Sequence, residues 1–324
     1  MSSHFFEAWC PNGALRSRNL IKDNLTIFPS GKRQQGKTHM RLDDQRESTN
    51  IDDRRGSGGG GRGPLRIGGI GGVILVIGAL YFGVDPRVVL NLLENGPAAN
   101  TPATSQPQAA KDDPGRKFIA RILGSTEDVW SSTFQQMGRT YHDPGLVLFS
   151  GGTQSGCGYA QTSVGPFYCP ADRKVYLDLQ FFQELQSRLG ASGDFARAYV
   201  VAHEVGHHVQ NELGIMQQVN QQGNAAQKGA NGLSVRVELQ ADCFAGVWAK
   251  RANDTRHFLE TGDIEEGMNA ASAVGDDRLE RQAQGYVVPD SFTHGTSAQR
   301  VAWFKRGLES GDIKRCDTFN APAL

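Results

Sequence analysis

The stretch AHEVGHHVQ, residues 202–210, holds three histidines and one glutamate within six consecutive positions. The surrounding pattern predicts a long helix that is capped by Ser192 or Asp194 and continues through Val209. In such a helix His203 and His207 lie one turn apart, about 40° from each other around the axis. Two imidazoles placed in this way can bind a single metal ion, so the stretch predicts a metal site on one helical face.

Glu204 stands next to the first of these histidines. It cannot easily join the coordination shell of His203, but its carboxylate can reach a water molecule on the ion. This HExxH spacing is typical of zinc peptidases. His208 follows His207 by about 100° of rotation and should point away from the ion, where it would pack or support the site. A histidine cluster without a metal is the alternative for the whole stretch.

The third ligand has to come from elsewhere in the chain, because a catalytic zinc takes three protein ligands and keeps one position open. The longer HExxHxxGxxH motif is excluded, since Gln210 and Leu213 stand where it requires glycine and histidine. Glu238 and Asp242, in the stretch ELQAD, lie one turn apart on a predicted helix with many apolar residues. A carboxylate on a buried helix needs a cation. Glu238 is therefore the predicted third ligand, and a solvated acidic face is the alternative.

Two further polar groups are candidates for supporting roles. Asp242 can accept a hydrogen bond from a ligand histidine and so orient its ring. The stretch SFTHGTSAQRVAWF, residues 291–304, places His294 in a loop just before a helix. There His294 could stabilise negative charge that develops on a substrate, with Arg300 bracing the site. The alternative for His294 is an ordinary surface residue.

The composition bounds the partners and the redox state of the chain. Its 324 residues include 34 Lys and Arg and 34 Asp and Glu, so the formal net charge is zero. The charge therefore gives no reason to expect a nucleic-acid partner. Four cysteines lie in the last two-thirds of the chain. The chain contains no CxxC pair, so a zinc ribbon with cysteine ligands is not expected. If this part is exported, the pairs Cys157–Cys169 and Cys243–Cys316 are reasonable disulfides. If it is cytosolic, four buried thiols are expected.

The N-terminal part of the chain predicts a membrane anchor. Residues 67–84 carry no charge and approach the minimum length for a membrane-spanning helix, with several arginines just before them. Alternatives are a buried core helix and a cleaved signal peptide. Residues 1–39 read as a disordered upstream extension, residues 40–66 as a charged, Gly-rich cytoplasmic tail and residues 85–115 as a Pro/Ala/Gln-rich linker. Residues 116–324 are then the folded domain, on the outer side of the membrane.

Within this domain the pattern is mostly helical, with one short strand. We predict an α+β fold that is predominantly helical and carries a small β-sheet. Helices are expected at 118–137, 181–189, 234–250, 263–284 and 297–309, a strand at 175–179 and a loop at 217–232.

Four stretches together resemble the neutral zinc metallopeptidase family of bacteria. They are HEVGHH, ELQADCFAGVWA, GPFYCPADRKVYLDLQFF and SFTHGTSAQRVAWF, and the resemblance runs from about residue 40 to residue 319. The resemblance implies a zincin-like domain of the gluzincin type, distantly similar to membrane-associated M48-type peptidases. It also implies one Zn²⁺ per chain bound by His203, His207 and Glu238, with Glu204 as the catalytic acid and base.

The resemblance further implies that His294 stabilises the transition state, supported by Arg300. The chain has Gly295 and Thr296 where M48-type sequences usually have prolines, so the local loop is expected to differ. By the same analogy, the strand at 175–179 is expected to be the sheet edge beside the cleft, where a peptide substrate would add as a further strand.

The leading expectation is a zinc endopeptidase anchored by one segment in a bacterial inner membrane. Its N-terminus would lie in the cytoplasm and its catalytic domain in the periplasm. A peptide or protein would be its substrate and the bilayer its partner through residues 67–84. The alternatives are a zinc-dependent amidase of cell-envelope substrates and a non-catalytic membrane binding protein stabilised by zinc.

Overall fold

The computed structural model describes residues 40–55, 112–221, 228–322 and 324. All of these described residues belong to one compact unit. The predicted upstream extension, the predicted anchor at 67–84 and nearly all of the predicted linker lie outside the described residues. Within the part that is described, no helix is both long enough and apolar enough to cross a membrane.

A four-stranded sheet forms one side of the fold, in the order β1-β2-β6-β5. Its strands are β1 (Ile51–Asp53), β2 (Gly145–Phe149), β5 (Phe167–Cys169) and β6 (Lys174–Asp178). The pairs β1–β2 and β2–β6 are parallel, whereas β5 runs antiparallel to β6. Strands β3 (Gly152–Ser155) and β4 (Gly158–Gln161) form a separate antiparallel hairpin. The apolar run LVLF in β2 is fully buried, as expected for a strand that is covered on both faces.

Eight helices complete the described part of the fold. They are α1 (Pro114–Gln136), α2 (Gln180–Ser187), α3 (Asp194–Glu212), α4 (Ile215–Gln221), α5 (Leu233–Arg256), α6 (Asp263–Ala273), α7 (Asp276–Gln284) and α8 (Ser297–Ser310). The long helices α3 and α5 pack against each other, and α6 and α8 pack on them. Phe195, Trp248 and Phe258 meet between these helices with ring centroids 5.7–6.4 Å apart. This layer of helices therefore contains the centre of the core.

Residues 40–55 differ from the predicted cytoplasmic tail, because they belong to the folded unit. Met40 and Leu42 are buried in the main core, and β1 is the outer strand of the sheet. The charges that suggested a solvated tail are paired: Arg46 contacts Glu127 and Asp128 of α1. The predicted start of the domain at residue 116 is also late, since Asp113 caps α1.

The strand predicted at 175–179 is present as β6, but its predicted position at the sheet edge is wrong. It lies between β2 and β5, and Tyr176 and Asp178 are buried rather than outward-facing. The edge on this side of the sheet is β5. The polar atom of Tyr176 is satisfied inside the protein, since its hydroxyl donates to Asp172 at 2.6 Å.

Most predicted helices are present, with differences at their ends. Glycines 193 and 232 occupy the N-cap positions of α3 and α5, and neither cap makes a side-chain hydrogen bond. The caps predicted from Ser192 or Asp194 are therefore wrong. The region predicted as one helix at 263–284 is two helices, and the predicted loop at 217–232 contains part of α4.

Both disulfide pairs that the sequence offered are present. Cys157–Cys169 joins the turn between β3 and β4 to β5, and Cys243–Cys316 joins α5 to a short 3-10 turn at Ile313–Cys316. The alternative of four free thiols is therefore excluded for this structure.

Candidate metal centre

Three side chains from two helices converge in the middle of the fold. His203 and His207 project from α3 and Glu238 from α5, and one ligand atom from each lies within 4.8 Å of the other two. His203 Nε2 is 3.1 Å from one Glu238 carboxylate oxygen, and His207 Nε2 is 3.4 Å from the other. Two imidazole nitrogens and a carboxylate are a donor set that suits Zn²⁺ with a fourth position left open. The residues present therefore fit the metal that the sequence predicts.

Gly206, the glycine of HEVGHH, permits the close contact between the two helices. A Cβ atom at this position would lie 2.9 Å from the carbonyl oxygen of Ala241 and 3.1 Å from its Cα. Because both are backbone atoms of α5, no side-chain rotation could relieve the clash. The glycine thus lets α5 come near enough to α3 for Glu238 to meet the two histidines.

Burial and charge act in opposite directions on Glu238. Burial opposes its ionisation, but the charge of His207 and the hydrogen bonds of both imidazoles outweigh burial and hold the Glu238 pKa well below its ordinary value. The side chain is therefore a carboxylate, the form that binds a divalent ion.

Asp242 orients the first histidine. It is fully buried, and its Oδ1 accepts a hydrogen bond of 2.8 Å from His203 Nδ1. Burial opposes its ionisation, but the charges of Arg300 and His203 outweigh that effect and lower the Asp242 pKa to about 2. A proton fixed on Nδ1 leaves the Nε2 lone pair of His203 free for a metal ion. Asp242 thus has the position and contact that the sequence predicts.

Arg300 completes this buried network. Its Nε donates to Asp242 Oδ2 at 2.8 Å and its Nη2 to Oδ1 at 2.9 Å, which is a two-pronged ion pair. Tyr199, one helical turn before His203, also donates its hydroxyl proton to Oδ1 of Asp242. The sequence predicts Arg300 as a bracing residue but misses Tyr199. Tyr199 could have been found from its spacing, because it stands four residues before His203 and both side chains therefore lie on one face of α3.

Gln210 orients the second histidine. Its side-chain oxygen accepts a hydrogen bond of 2.9 Å from His207 Nδ1. Its amide nitrogen donates to Val237 O at 2.7 Å and to the Gln240 side-chain oxygen at 3.1 Å, so the amide has a fixed orientation. Each ligand histidine therefore has its own acceptor behind the ring. Sequence analysis uses Gln210 only to exclude the longer motif, and it misses the role of this residue behind His207.

Glu204 lies on the same helix as both histidines and is 8% exposed. Burial raises its pKa above the ordinary value, against the charges of His203 and His207. A carboxylate with a raised pKa has a stronger tendency to take a proton, which is what a general base requires.

His294 is held near this centre by Asp276, the first residue of α7. One carboxylate oxygen of Asp276 accepts the backbone N–H groups of Thr293, His294 and Gly295 at 2.7–2.9 Å. The other lies 3.0 Å from His294 Nδ1. Burial lowers the pKa of His294, but the bond to Asp276 and the charges of Asp276 and Glu238 raise it overall.

Sequence analysis misses Asp276. Its link to His294 spans 18 residues, and no helical or strand spacing connects the two positions. The only signal in the sequence is the preceding Gly275, which is the N-cap of α7.

His208 has a separate role, away from the three ligand side chains. It is fully buried, and its Nε2 donates to the carbonyl oxygen of His142 at 2.7 Å. Its Nδ1 accepts a hydrogen bond of 3.0 Å from the Tyr168 hydroxyl, on β5. Burial lowers the His208 pKa, so the ring stays neutral. The prediction that this ring packs away from the metal face agrees with its position.

Comparisons with known proteins identify the family of the chain. Residues 40–319 match the family described as "Putative neutral zinc metallopeptidase". The uncharacterized protein YpfJ of Escherichia coli (strain K12) is 52% identical over 288 residues, which cover 86% of this chain and 99% of the relative. The uncharacterized protein Rv2575 of Mycobacterium tuberculosis (strain H37Rv) is 41% identical over 257 residues, which cover 76% and 86%. No solved structure matches the chain. The chain therefore belongs to the neutral zinc metallopeptidase family.

Proposed function

We propose that the chain is a zinc-dependent endopeptidase that hydrolyses peptide bonds in proteins or peptides. The observation that carries this proposal is the convergence of His203, His207 and Glu238, with Glu204 on the same helix as the two imidazoles. A Zn²⁺ ion bound there would polarise the substrate carbonyl group and lower the pKa of a water molecule. Three protein ligands and an adjacent carboxylate favour a catalytic site over a structural one, which is usually closed by four protein ligands.

Glu204 moves the proton in this proposal. Its carboxylate takes a proton from the attacking water and later delivers it to the nitrogen of the leaving amine. The pKa raised by burial suits both steps, because the group has to bind the proton and then release it. Asp242, with its low pKa, stays ionised and holds the ring of His203 in place.

His294 stabilises the negative charge that develops on the substrate oxygen. Asp276 fixes its Nδ1 side, so the Nε2 side is available to donate a hydrogen bond to that oxygen. The three backbone bonds to Asp276 hold the loop at Thr293–Gly295, so this donor is in position before substrate binds.

A peptide substrate would add to the sheet at β5 rather than at β6. In the described residues β5 pairs with β6 only, and α3 contacts both of these strands. Main-chain hydrogen bonds to an edge strand recognise the peptide backbone whatever its side chains are, which suits a protease of broad specificity.

The test is metal analysis and a peptide-library digest of the purified full-length chain, with Glu204→Gln beside the wild type. Wild-type protein should hold about one Zn²⁺ per chain and cleave internal peptide bonds. Glu204→Gln should keep the metal and lose turnover by a factor of about 10²–10⁴, the usual contribution of a general base.

The matched control is Glu184→Gln, on the exposed side of α2, which should leave both quantities unchanged. An active Glu204→Gln enzyme would remove the general base from the mechanism. Bound zinc without cleavage of any peptide would support the non-catalytic alternative, and hydrolysis of cell-wall amides alone would support the amidase.

A further inference from the structure

The arm, residues 40–55, is joined to the catalytic domain by backbone hydrogen bonds. Strand β1 pairs in parallel with β2, with Ile51 beside Leu146 and Asp53 beside Leu148. The ladder extends at both ends, since Leu146 N donates to Asn50 O and Arg54 N to Leu148 O, each at 2.8 Å. Hydrogen bonds of this length require direct contact, whereas the hydrocarbon core of a bilayer is about 30 Å thick.

A buried carboxylate of the domain also depends on the arm. Glu127 on α1 is 1% exposed and accepts hydrogen bonds from Ser48 Oγ at 2.6 Å, Asn50 Nδ2 at 2.8 Å and Arg46 Nη2 at 2.7 Å. All three donors belong to the arm. A buried charge without its partners is strongly destabilising, so the domain is built to contain the arm.

The fit between the arm and α1 is close along the backbone. Ser48 N donates to Ala120 O of α1 at 2.9 Å, and besides this contact Arg41 N donates at 2.9 Å to Phe258 O, which follows α5. A Cβ atom at Gly124 of α1 would lie 2.5 Å from the carbonyl oxygen of Arg46. Only a glycine therefore lets the arm approach this closely.

The last residue of the arm lies beside the residue that caps α1. Arg55, at the end of the arm, forms an ion pair of 3.1 Å with Asp113, the residue that caps α1. The intervening residues include the uncharged stretch 67–84. A single membrane crossing between Arg55 and Asp113 would put these two side chains on opposite sides of the bilayer, which their contact excludes.

We propose that the arm and residues 112–322 occupy the same side of the membrane, so that any contact of the intervening residues with lipid begins and ends on the side of the catalytic domain. This topology replaces the expected one, in which the arm is cytoplasmic and the domain periplasmic. It does not depend on the proposed peptidase activity, because none of its contacts involves the metal ligands.

The test is thiol labelling of the full-length chain in intact bacterial spheroplasts. Cys10 is first replaced by serine, since the other four cysteines form disulfides. A cysteine is then introduced at Asp43, whose side chain is 98% exposed in the arm, or at Glu309, whose side chain is 66% exposed on α8. Membrane-impermeant maleimide is added before or after lysis.

Both variants should behave alike, either labelled before lysis or protected until lysis. Labelling of one variant before lysis and of the other only afterwards would overturn the proposal.

A second measurement covers the case in which a new cysteine disturbs the arm. Arg41 and Glu260 approach to 3.8 Å and are both accessible, so the double variant R41C/E260C should be cross-linked by a short membrane-permeant bis-maleimide in unlysed cells. The single variant R41C is the control and should give no internal cross-link. Absence of the cross-link in the double variant, with both thiols reactive after lysis, would contradict the proposed topology.

Discussion

At the scale of single residues, two buried aspartates each hold one histidine in position, but sequence spacing predicts only one of them. Asp242 lies one helical turn after Glu238, so periodicity predicts its place beside the ligand histidines. Asp276, at the start of α7, contacts His294 in a loop 18 residues further along the chain. Neither helical nor strand periodicity relates two such positions. Spacing can therefore predict a supporting residue on the same helix as a ligand, although it misses Tyr199 and Gln210 on α3. It cannot predict a contact that a turn brings together.

Asp276→Asn tests the role assigned to that carboxylate. The amide keeps an acceptor for the loop N–H groups but loses the charge beside His294, so turnover should fall about 10- to 100-fold while zinc content stays unchanged. The measurement is kcat together with metal analysis. Asp290→Asn, on the exposed 3-10 turn at Pro289–Ser291, is the control and should have no effect. Unchanged kcat in Asp276→Asn would show that the loop is held without this charge.

Asp263, at the start of α6, provides a pH-dependent test of stability. Burial, with added repulsion from Glu266 and Asp194, raises its pKa to about 6, against the hydrogen bond from Glu260 N. The folded protein thus keeps this proton at pH values where the unfolded chain, with a pKa of about 3.9, has released it. The stability that Asp263 contributes is therefore present at low pH and is lost as the pH rises from about 4 to about 6.

Asp263→Asn removes this titration and keeps an oxygen that can accept the Glu260 N–H. The variant should be more stable than the wild type at pH 7, and the difference in melting temperature should shrink as the pH is lowered to 4. Parallel melting curves at pH 4, 5, 6 and 7 measure it. A difference independent of pH would mean that Asp263 titrates normally.

At the scale of elements, the helices are predicted well and the strands poorly. Helices α1, α3 and α8 are long enough for their apolar spacing to be read directly. The strands contain three to five residues, and β2 is uniformly apolar, so alternation is absent or too short to be informative. The position of β6 inside the sheet depends on β1 and β5, and no local pattern contains that information.

The hydrogen bond between His208 and the Tyr168 hydroxyl joins α3 to the edge strand β5. His208→Leu should lose about 2–3 kcal/mol of unfolding free energy, because it removes two hydrogen bonds and leaves the His142 carbonyl and the Tyr168 hydroxyl without this partner. Urea denaturation measures the loss, and zinc content should not change.

Tyr141→Phe is the matched control for His208→Leu. The Tyr141 ring packs edge-on against His208 with centroids 5.5 Å apart, and its buried hydroxyl has no hydrogen-bond partner among the described residues. Its removal should be neutral or stabilising. A loss from Tyr141→Phe as large as that from His208→Leu would mean that any change in this buried cluster lowers stability, and that the two hydrogen bonds of His208 are not the cause.

At the scale of the whole molecule, the limits of the folded domain are the part that sequence analysis predicts least well. The arm is rich in charge and short of apolar residues, features usual in a solvated tail. Its partners, Glu127 and the edge of β2, lie more than 70 residues further along the chain. The disulfide pairs, by contrast, are reasonable candidates once an oxidising compartment is assumed, although four cysteines allow three pairings and the sequence does not choose among them.

The two disulfides should contribute unequally to stability. Cys243–Cys316 closes a loop of 73 residues and Cys157–Cys169 one of 12. Chain entropy predicts losses of about 4.4 and about 2.8 kcal/mol when each pair is replaced by alanines. Urea denaturation of the two double variants measures the order. A larger loss for the shorter loop would show that native contacts of the bridge outweigh the entropy of the unfolded chain.

The ion pair between Arg55 and Asp113 also has a practical consequence for protein engineering. An arginine and an aspartate in contact have Cα atoms within about 12 Å, a span that four to six residues can bridge. A gene encoding residues 40–55, a short glycine–serine connector and residues 112–324 should therefore retain every strand and helix described above. Such a shortened protein would suit crystallisation, whereas truncation at residue 116 would discard a strand and expose a buried acid.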